Sequence, residues 1–407
     1  MAKKILILTD PFNPPLFIPR INNLCKNLDF NKWESYVFTE KVIDVNYTTN
    51  LYPLHQMLYY KSKNKVHWVY KWILNLLFQN KDIELQKFIE KNTNVYNYDL
   101  ILCSTFNLFP LTTASRLSTK YNKPLIIDLR DITEQWGTNK YFTRSLSNFT
   151  IINNLIYKQI EKLNIKRRNK ALQKAKAITT ISPWHRDFIK NINNNTHLIY
   201  NGYNADIFYH QKIASDTFDI TYTGRLIDLQ FRNPNLLFEA IQQLDKEQKI
   251  SPNKLKIKWY IGSTLKNELI ELVKKHNITQ YNHYFDFIPN NEIPQLLNKS
   301  SINLILSTKS SNDGPHGIMT TKFFEALGVE KPILCVRSDE ECLAQTIKET
   351  ESGLAATNVE EVKNFILHYY NQWQEQGYTH VNVKNKELFS RQNQALQFEK
   401  IFNSAIS

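Results

Sequence analysis

Two residues three apart carry the strongest hint of chemistry in this 407-residue chain. Lys322 and Glu325 follow a loop containing Gly314 and Gly317. They share one face of an expected helix, because positions i and i+3 are neighbours on a helix surface. A lysine there suits a phosphate, and a glutamate suits a ribose diol by accepting two hydroxyl protons; the same spacing also serves a surface ion pair. Thr320 or Thr321 stands near the N-cap of that helix, whose open N–H groups and dipole favour an anion. Upstream, Gly224-Arg225 ends an expected strand, and Arg232 comes just before the next helix. Guanidinium groups make strong charge-assisted bonds to oxyanions. In the first half, Asp128, Arg130 and Asp131 end another expected strand, where ligands meet a parallel sheet. A carboxylate there could orient an acceptor hydroxyl, with Arg130 on an acceptor phosphate; a structural Asp–Arg pair fixing the loop fits the same residues. His185 and His316 lie near these segments, and a lone histidine is more often packed or solvated than catalytic.

The common dinucleotide, NTPase, zinc-protease and hydrolase fingerprints are missing. There is also no Asp-x-Asp pair to hold a diphosphate through a metal, so helix N-termini and Arg or Lys must neutralise any phosphates. We therefore expect no required metal and no cofactor beyond a co-substrate. Cys25, Cys103, Cys335 and Cys342 form no CxxC pair, and Cys103 and Cys335 sit in apolar runs that suit buried free thiols. The apolar run at 5–8 is too short for a signal peptide, and no stretch approaches the roughly 20 apolar residues of a membrane span. The expectation is a cytoplasmic protein, with peripheral attachment to the inner face of the cell membrane left open.

These residues need a scaffold, and the apolar runs supply one. Short runs at 4–8, 99–103, 123–129, 177–181 and 197–200 alternate with helical patterns at 20–28 and 153–176. After a polar stretch at 201–217, runs at 219–223, 256–262, 284–288, 302–307 and 332–336 alternate with helical patterns at 235–244, 266–276, 292–299, 321–327 and 359–374. Buried strands separated by helices predict an α/β protein with two doubly wound domains, its ligands in a cleft at the strand ends. The expected bounds are 1–203 and 204–385, with a C-terminal helix at about 386–407 packing back on the first domain.

Hydrophobic residues make up 42% and charged ones 22%, which excludes disordered, collagen-like and coiled-coil chains. The basicity is confined to the first half: residues 1–200 hold 29 Lys and Arg against 14 Asp and Glu, while 201–407 hold 22 against 24. The segment 61–79 interleaves Lys61, Lys63, Lys65 and Lys71 with Trp68, Trp72, Ile73 and Leu76, and 158–176 is a second basic run. Contact with an anionic leaflet explains this, as do core aromatics beside solvated lysines.

The stretch 317–336, with Lys322-x-x-Glu325 and Lys331-Pro332-Ile333, resembles the nucleotide-sugar signature of bacterial glycosyltransferases of the GT-B fold, closest to glycosyltransferase family four. TYTGRL at 221–226 with the RNPNLLFEAI that follows, TTISPWHRDFI at 179–189, IYNGYNADIF at 199–208, IIDLRD at 126–131 and FNPPLFIPRINNLCKNL at 12–28 resemble further segments of that family in the same order. The resemblance implies two Rossmann-like domains facing a cleft. It places the donor on Gly224, Arg225, Arg232, Gly317, Thr321, Lys322 and Glu325, and the acceptor on Arg20, Asp128, Arg130 and Asp131. Arg225, Lys322 and Asp131 are the expected catalytic groups. The chain departs from the family at Gly317, where many members carry Glu, and Arg232 is the nearest base where a Lys is usual.

The expected function is transfer of a sugar, with retention, from a nucleotide diphosphosugar to a saccharide or lipid-linked saccharide in surface polysaccharide synthesis. A non-catalytic partner subunit and a nucleotide-sugar epimerase share the pattern. A nucleic-acid-binding protein fits the charge but lacks any recognition motif.

Overall fold

The computed structural model describes residues 2–10, 19–40, 52–57, 65–106, 108–136, 150–226, 228–307, 315–337 and 341–407, with the backbone alone at 65, 68 and 150–157. Lys61, Lys63, Gly314 and the loop at 12–18 lie outside the described residues.

The chain forms two compact units, Met1–Tyr200 with Arg391–Ser407, and Asn201–Ser390. Unit 1 runs β1 (Lys3–Thr9), α1 (Pro19–Asn27), β2 (Trp33–Thr39), β3 (Leu54–Gln56), α2 (Lys65–Phe78), α3 (Asn80–Asn92), β4 (Leu100–Thr105), α4 (Leu111–Tyr121), β5 (Leu125–Leu129), α5 (Thr150–Lys174), β6 (Ala177–Thr180), α6 (Pro183–Lys190) and β7 (Thr196–Leu198). Unit 2 continues with β8 (Phe218–Thr223), α7 (Asn235–Lys246), β9 (Leu255–Tyr260), α8 (Lys266–Lys275), β10 (Asn282–Phe285), α9 (Ile293–Lys299), β11 (Ile302–Leu306), α10 (Thr321–Gly328), β12 (Ile333–Val336), α11 (Cys342–Glu349), β13 (Gly353–Ala356) and α12 (Val359–Gln376). The chain then returns to unit 1 as α13 (Arg391–Ile406).

Both sheets are parallel, with strand orders β3-β2-β1-β4-β5-β6-β7 and β10-β9-β8-β11-β12-β13. Each reverses direction beside its first strand, between β1 and β4 and between β8 and β11, and that switch point is where a doubly wound sheet opens to a ligand. The strands are apolar on both faces because helices cover both. In β1, Leu6 and Leu8 enter one core with Leu85, Leu111 and Leu117 of α3 and α4. Ile5 and Ile7 enter another with Ile21 and Leu24 of α1 and Phe398 and Phe402 of α13. Trp33 meets Phe402 edge to face at 5.3 Å, so the last helix completes the core of the first unit. In unit 2, Phe218, Ile220 and Tyr222 of β8 pack with Phe238, Trp259 and Trp373. All four cysteines are buried, and none of them forms a disulfide.

Candidate functional site

In unit 2 the backbone leaves β8 at Gly224 with φ +117°, a conformation that favours glycine. A Cβ there would stand 2.4 Å from Cε and 2.5 Å from Nζ of Lys322, so the missing side chain is the space that the lysine occupies. The Lys322 ammonium lies 5.4 Å from the Tyr222 ring centre. Arg232 Nη1 donates to the Tyr222 hydroxyl at 3.0 Å and to the Arg225 carbonyl at 3.2 Å, which fixes a second cation beside the first. Burial, then repulsion by Arg232, lowers Lys322 to about 8, with Glu325 pulling the other way. No hydrogen bond to the Lys322 ammonium forms among the described residues.

The N-terminus of α10 adds to this. Thr320 is its N-cap, extended at φ −77° and ψ 140°, and its side chain makes no cap bond. Thr321 is exposed at the first helical position. Uncapped N–H groups and the helix dipole therefore stand beside Lys322 and its neighbour Arg232, and Arg225, next to Gly224 in the chain, is exposed. Glu325 stands one turn on, half-buried. Such a group of cations and N–H donors can hold a dianion, with a carboxylate beyond it for hydroxyls. At Gly317, expected among the donor-binding residues, the amide donates to Glu341 Oε2 at 3.2 Å, and His316 Nδ1 meets Glu341 Oε1 at 2.6 Å.

Unit 1 corrects two further expectations. Arg20 and Asp128, assigned to an acceptor, are 2% and 0% exposed at their side chains and spend themselves on each other. Arg20 Nε meets Asp128 Oδ2 at 3.0 Å and Nη2 meets Oδ1 at 3.0 Å. Arg20 also donates to the carbonyls of Tyr200 at 2.8 Å and Ile199 at 2.9 Å. Asp128 further accepts from Ser104 at 2.8 Å and Thr179 at 2.7 Å. Burial alone would raise the Asp128 carboxyl, but Arg20 and the two hydroxyls outweigh it and hold it below its ordinary value. This is a structural clamp across β4, β5, β6 and α1.

Arg130 and Asp131 do lie at the open strand end. Arg130 pairs with Asp10, at the end of β1, and its guanidinium is 5.4 Å from the Phe106 ring centre. Asp10 is nearly buried, and burial raises its carboxyl against the pull of Arg130. The pair occupies the switch point between β1 and β4. Asp131 remains open to solvent, while the crowding of protein around it pushes its carboxyl up to about 6 against the pull of Gln135 and Arg130. Asp10 was missed by reasoning on sequence. Its signal was a charge directly after the first strand, without a partner nearby in the chain. His185 is buried, and burial lowers it to about 4, which fits a packed neutral ring.

Two further features bear on partners. Val66, Val69, Tyr70, Ile73 and Leu77 of α2 are exposed, up to 78% at Val66. They recur at helical spacing along one stripe about 100° wide. The sequence had put Trp72 and Leu76 on the apolar side, but these are half-buried, and the Trp68 side chain lies outside the described residues. Beside the end of α2, a recess of about 570 Å³ is lined by Arg116, Lys120, Arg167, Lys170 and Lys174, with no carboxylate in its wall. One trio among the described residues could hold a metal: His210, Glu330 and His380, beyond the C-terminal end of α10.

No family model and no curated protein sequence matches the chain. Solved structures do. Sucrose-phosphate synthase from Thermosynechococcus elongatus aligns with TM-score 0.65 at 15% identity, covering 99% of each chain. Anabaena HepE in complex with UDP aligns with TM-score 0.63 at 14% identity, covering 98% of this chain and 100% of that one. A putative UDP-N-acetylglucosamine 2-epimerase from Listeria monocytogenes aligns with TM-score 0.56 at 12% identity, covering 99% and 96%. Two Rossmann-like units in one chain, shared along nearly the full length of these proteins, make this the GT-B fold.

Proposed function

We propose that the chain is a glycosyltransferase that moves a sugar from a nucleotide diphosphosugar to a hydroxyl of a saccharide, lipid-linked in a surface-polysaccharide pathway. The observation that carries this reading is the Lys322 ammonium, half-buried and without a hydrogen bond among the described residues, over bare Gly224 at the uncapped start of α10. Burying a cation beside a second cation costs stability, and a diphosphate is the ligand that repays it.

In this reading Lys322, Arg225, Arg232 and the helix N-terminus hold the diphosphate, and Glu325 accepts the ribose hydroxyls. The bond from the anomeric carbon to the diphosphate breaks with its electron pair on the leaving group, whose charge the same cations stabilise, while the acceptor oxygen bonds to that carbon on the same face and its proton passes to the departing phosphate oxygen. Asp131 orients the acceptor hydroxyl and Arg130 holds an acceptor phosphate. The resemblance to family four supports retention, and the fixed cations support a reaction without a metal. The stripe on α2 and the basic recess beside it support peripheral contact with an anionic leaflet. Thermal-shift titration with UDP-, GDP-, ADP- and CMP-sugars tests the donor site. One class should stabilise the protein, and Lys322→Ala and Glu325→Ala should remove that effect. Stabilisation by none, or by all equally in both variants, overturns it.

The likeness to the Listeria protein favours a second reading, nucleotide-sugar epimerisation at the same site. Incubation with the stabilising nucleotide sugar and no acceptor separates the two. An epimerase equilibrates two nucleotide sugars, whereas a transferase leaves the donor unchanged apart from slow hydrolysis.

A further inference from the structure

We propose that His210, Glu330 and His380 form a binding site for a divalent transition metal, zinc by ligand type, that fastens the C-terminal end of α10. One ligand atom from each residue lies within 4.8 Å of the others. Around a tetrahedral zinc such atoms stand roughly 3.4 Å apart, so closure needs side-chain rotation of about an ångström. Two imidazoles and one carboxylate make a donor set suited to zinc and its neighbours, with a fourth position for water.

The surroundings already orient the ligands. His210 Nδ1 lies 3.4 Å from the Val329 carbonyl. A proton on that nitrogen leaves the Nε2 lone pair for a metal, which is how carbonyl partners fix metal-bound histidines. The Val381 amide donates to the Glu330 carbonyl at 3.1 Å, and the His380 amide to Gln372 Oε1 at 3.0 Å, so His380 is carried to the side of Glu330. His380 Nδ1 is buried without a hydrogen-bond partner, a state that a native fold seldom leaves unfilled. Glu330 adopts φ +53° at the position that ends α10, where a left-handed residue commonly stops a helix, and this turn carries its side chain out of the helix. Its carboxylate pairs with Lys386 through one oxygen, which leaves the other for a metal.

Two lysines oppose a cation here. Lys331 turns its ammonium away to the Thr379 carbonyl at 2.9 Å, and Lys386 is held by Glu330. They weaken the site relative to one with four protein ligands, and they also keep Glu330 ordered in its absence. The three ligands come from the connector before β8, the turn after α10 and the segment after α12, so a bound ion adds a tie between stretches already joined by the His210–Val329, Val381–Glu330 and Lys331–Thr379 hydrogen bonds. The opposite end of α10 carries Lys322, but this site stands independently of what that end binds.

The test uses the full chain without an affinity tag, stripped with chelator, and Zn²⁺ or Co²⁺ alone as probe. One equivalent should bind in calorimetric titration, the melting temperature should rise, and Co²⁺ should give the intense visible bands of a tetrahedral complex. His380→Gln, His210→Gln and Glu330→Gln should each weaken binding at least tenfold. Glu330→Gln keeps a hydrogen-bonding group for Lys386 and serves if a histidine variant fails to fold. Absence of saturable binding by the wild-type chain, or binding unchanged in the folded variants, overturns the site. Nucleoside diphosphate affinity measured with and without chelator should agree within twofold, which separates this site from the donor site.

Discussion

At the scale of single residues, Lys322 makes the proposed donor site a pH-dependent one. Its ammonium titrates at about 8 in the free protein because burial and Arg232 disfavour the charge. A diphosphate favours the charged form, so binding takes up a proton once the pH exceeds that value. Affinity for a nucleoside diphosphate should be flat below pH 7 and fall up to tenfold per pH unit above 8. Lys322→Arg should flatten this profile, since a guanidinium stays charged; calorimetry across pH checks both. Removing the charge should also stabilise the empty protein: Lys322→Met should gain on the order of 1–3 kcal/mol while losing the nucleotide. Gly224→Ala should lose the nucleotide too, because its Cβ would lie 2.4 Å from Lys322 Cε at φ +117°. Arg20 gives the contrary case. Arg20→Ala leaves Asp128 buried without its cation, so it should cost about 3–5 kcal/mol of stability. The check is denaturant unfolding; a variant of normal stability with a raised acceptor KM would return Arg20 to the acceptor site. Lys322 and Glu325 were legible because helix geometry puts them on one face, and Gly224 because it ends an apolar strand; that the bare Gly224 makes room for Lys322, far along the chain, was not. Arg20–Asp128 and Asp10–Arg130 were not, because their partners lie 108 and 120 positions apart and burial leaves no mark on a carboxylate's letter.

At the scale of elements, strands that are buried on both faces announce themselves as continuous apolar runs, which is why β1, β4, β5, β8 and β11 were legible. β2 was not, since its WESYVFT alternates, with Trp33, Ser35 and Val37 buried and Glu34 exposed. β13 was hidden for another reason. Its GLAA carries no strand-forming side chain at Gly353, where a Cβ would lie 1.9 Å from the Ile333 carbonyl, so close approach to β12 demands the glycine. α13 was legible as a helix, and its partners explain why it leaves unit 2: Phe398, Ile401 and Phe402 belong to the core with Trp33, Ile21 and Leu24. At about 1.5–3 kcal/mol for each large side chain, these three alone contribute roughly 5–9 kcal/mol, comparable to the whole stability of a domain. Deleting 391–407 should therefore unfold unit 1, while residues 201–390 keep a cooperative transition and nucleotide-dependent stabilisation. Calorimetric scanning of the truncated chain checks this, and retention of both transitions would show that α13 adds little.

At the scale of the molecule, the excess of charge and the exposed apolar surface belong to the same unit. Residues 1–200 carry 29 basic and 14 acidic side chains, against 22 and 24 in the remainder. Arg167 of α5 donates to the Leu76 and Leu77 carbonyls at 2.7 and 3.2 Å, which fixes the end of α2 next to the basic recess. A stripe of Val66, Val69, Tyr70, Ile73 and Leu77 in water is costly without a cover, and the recess beside it gathers five cations of which Lys120 is paired, with Glu90 at 2.9 Å. In the proposed membrane contact, an anionic bilayer would take the stripe into its headgroup boundary while its phosphates meet Arg116, Lys170 and Lys174. Each cation near such a surface contributes roughly 1 kcal/mol, screened over a Debye length of about 8 Å at physiological salt. The protein should therefore sediment with vesicles containing phosphatidylglycerol, less so at high salt, and hardly at all with neutral phosphatidylcholine. Lys170→Glu with Lys174→Glu should weaken this binding about thirty-fold or more by that scale. Ile73→Asp with Leu77→Asp should weaken it at every salt concentration, since the apolar contribution is not screened. Both double variants should keep their donor affinity, which resides in unit 2. Equal sedimentation of wild type and both variants would take the membrane away from α2 and leave its apolar stripe to a protein partner.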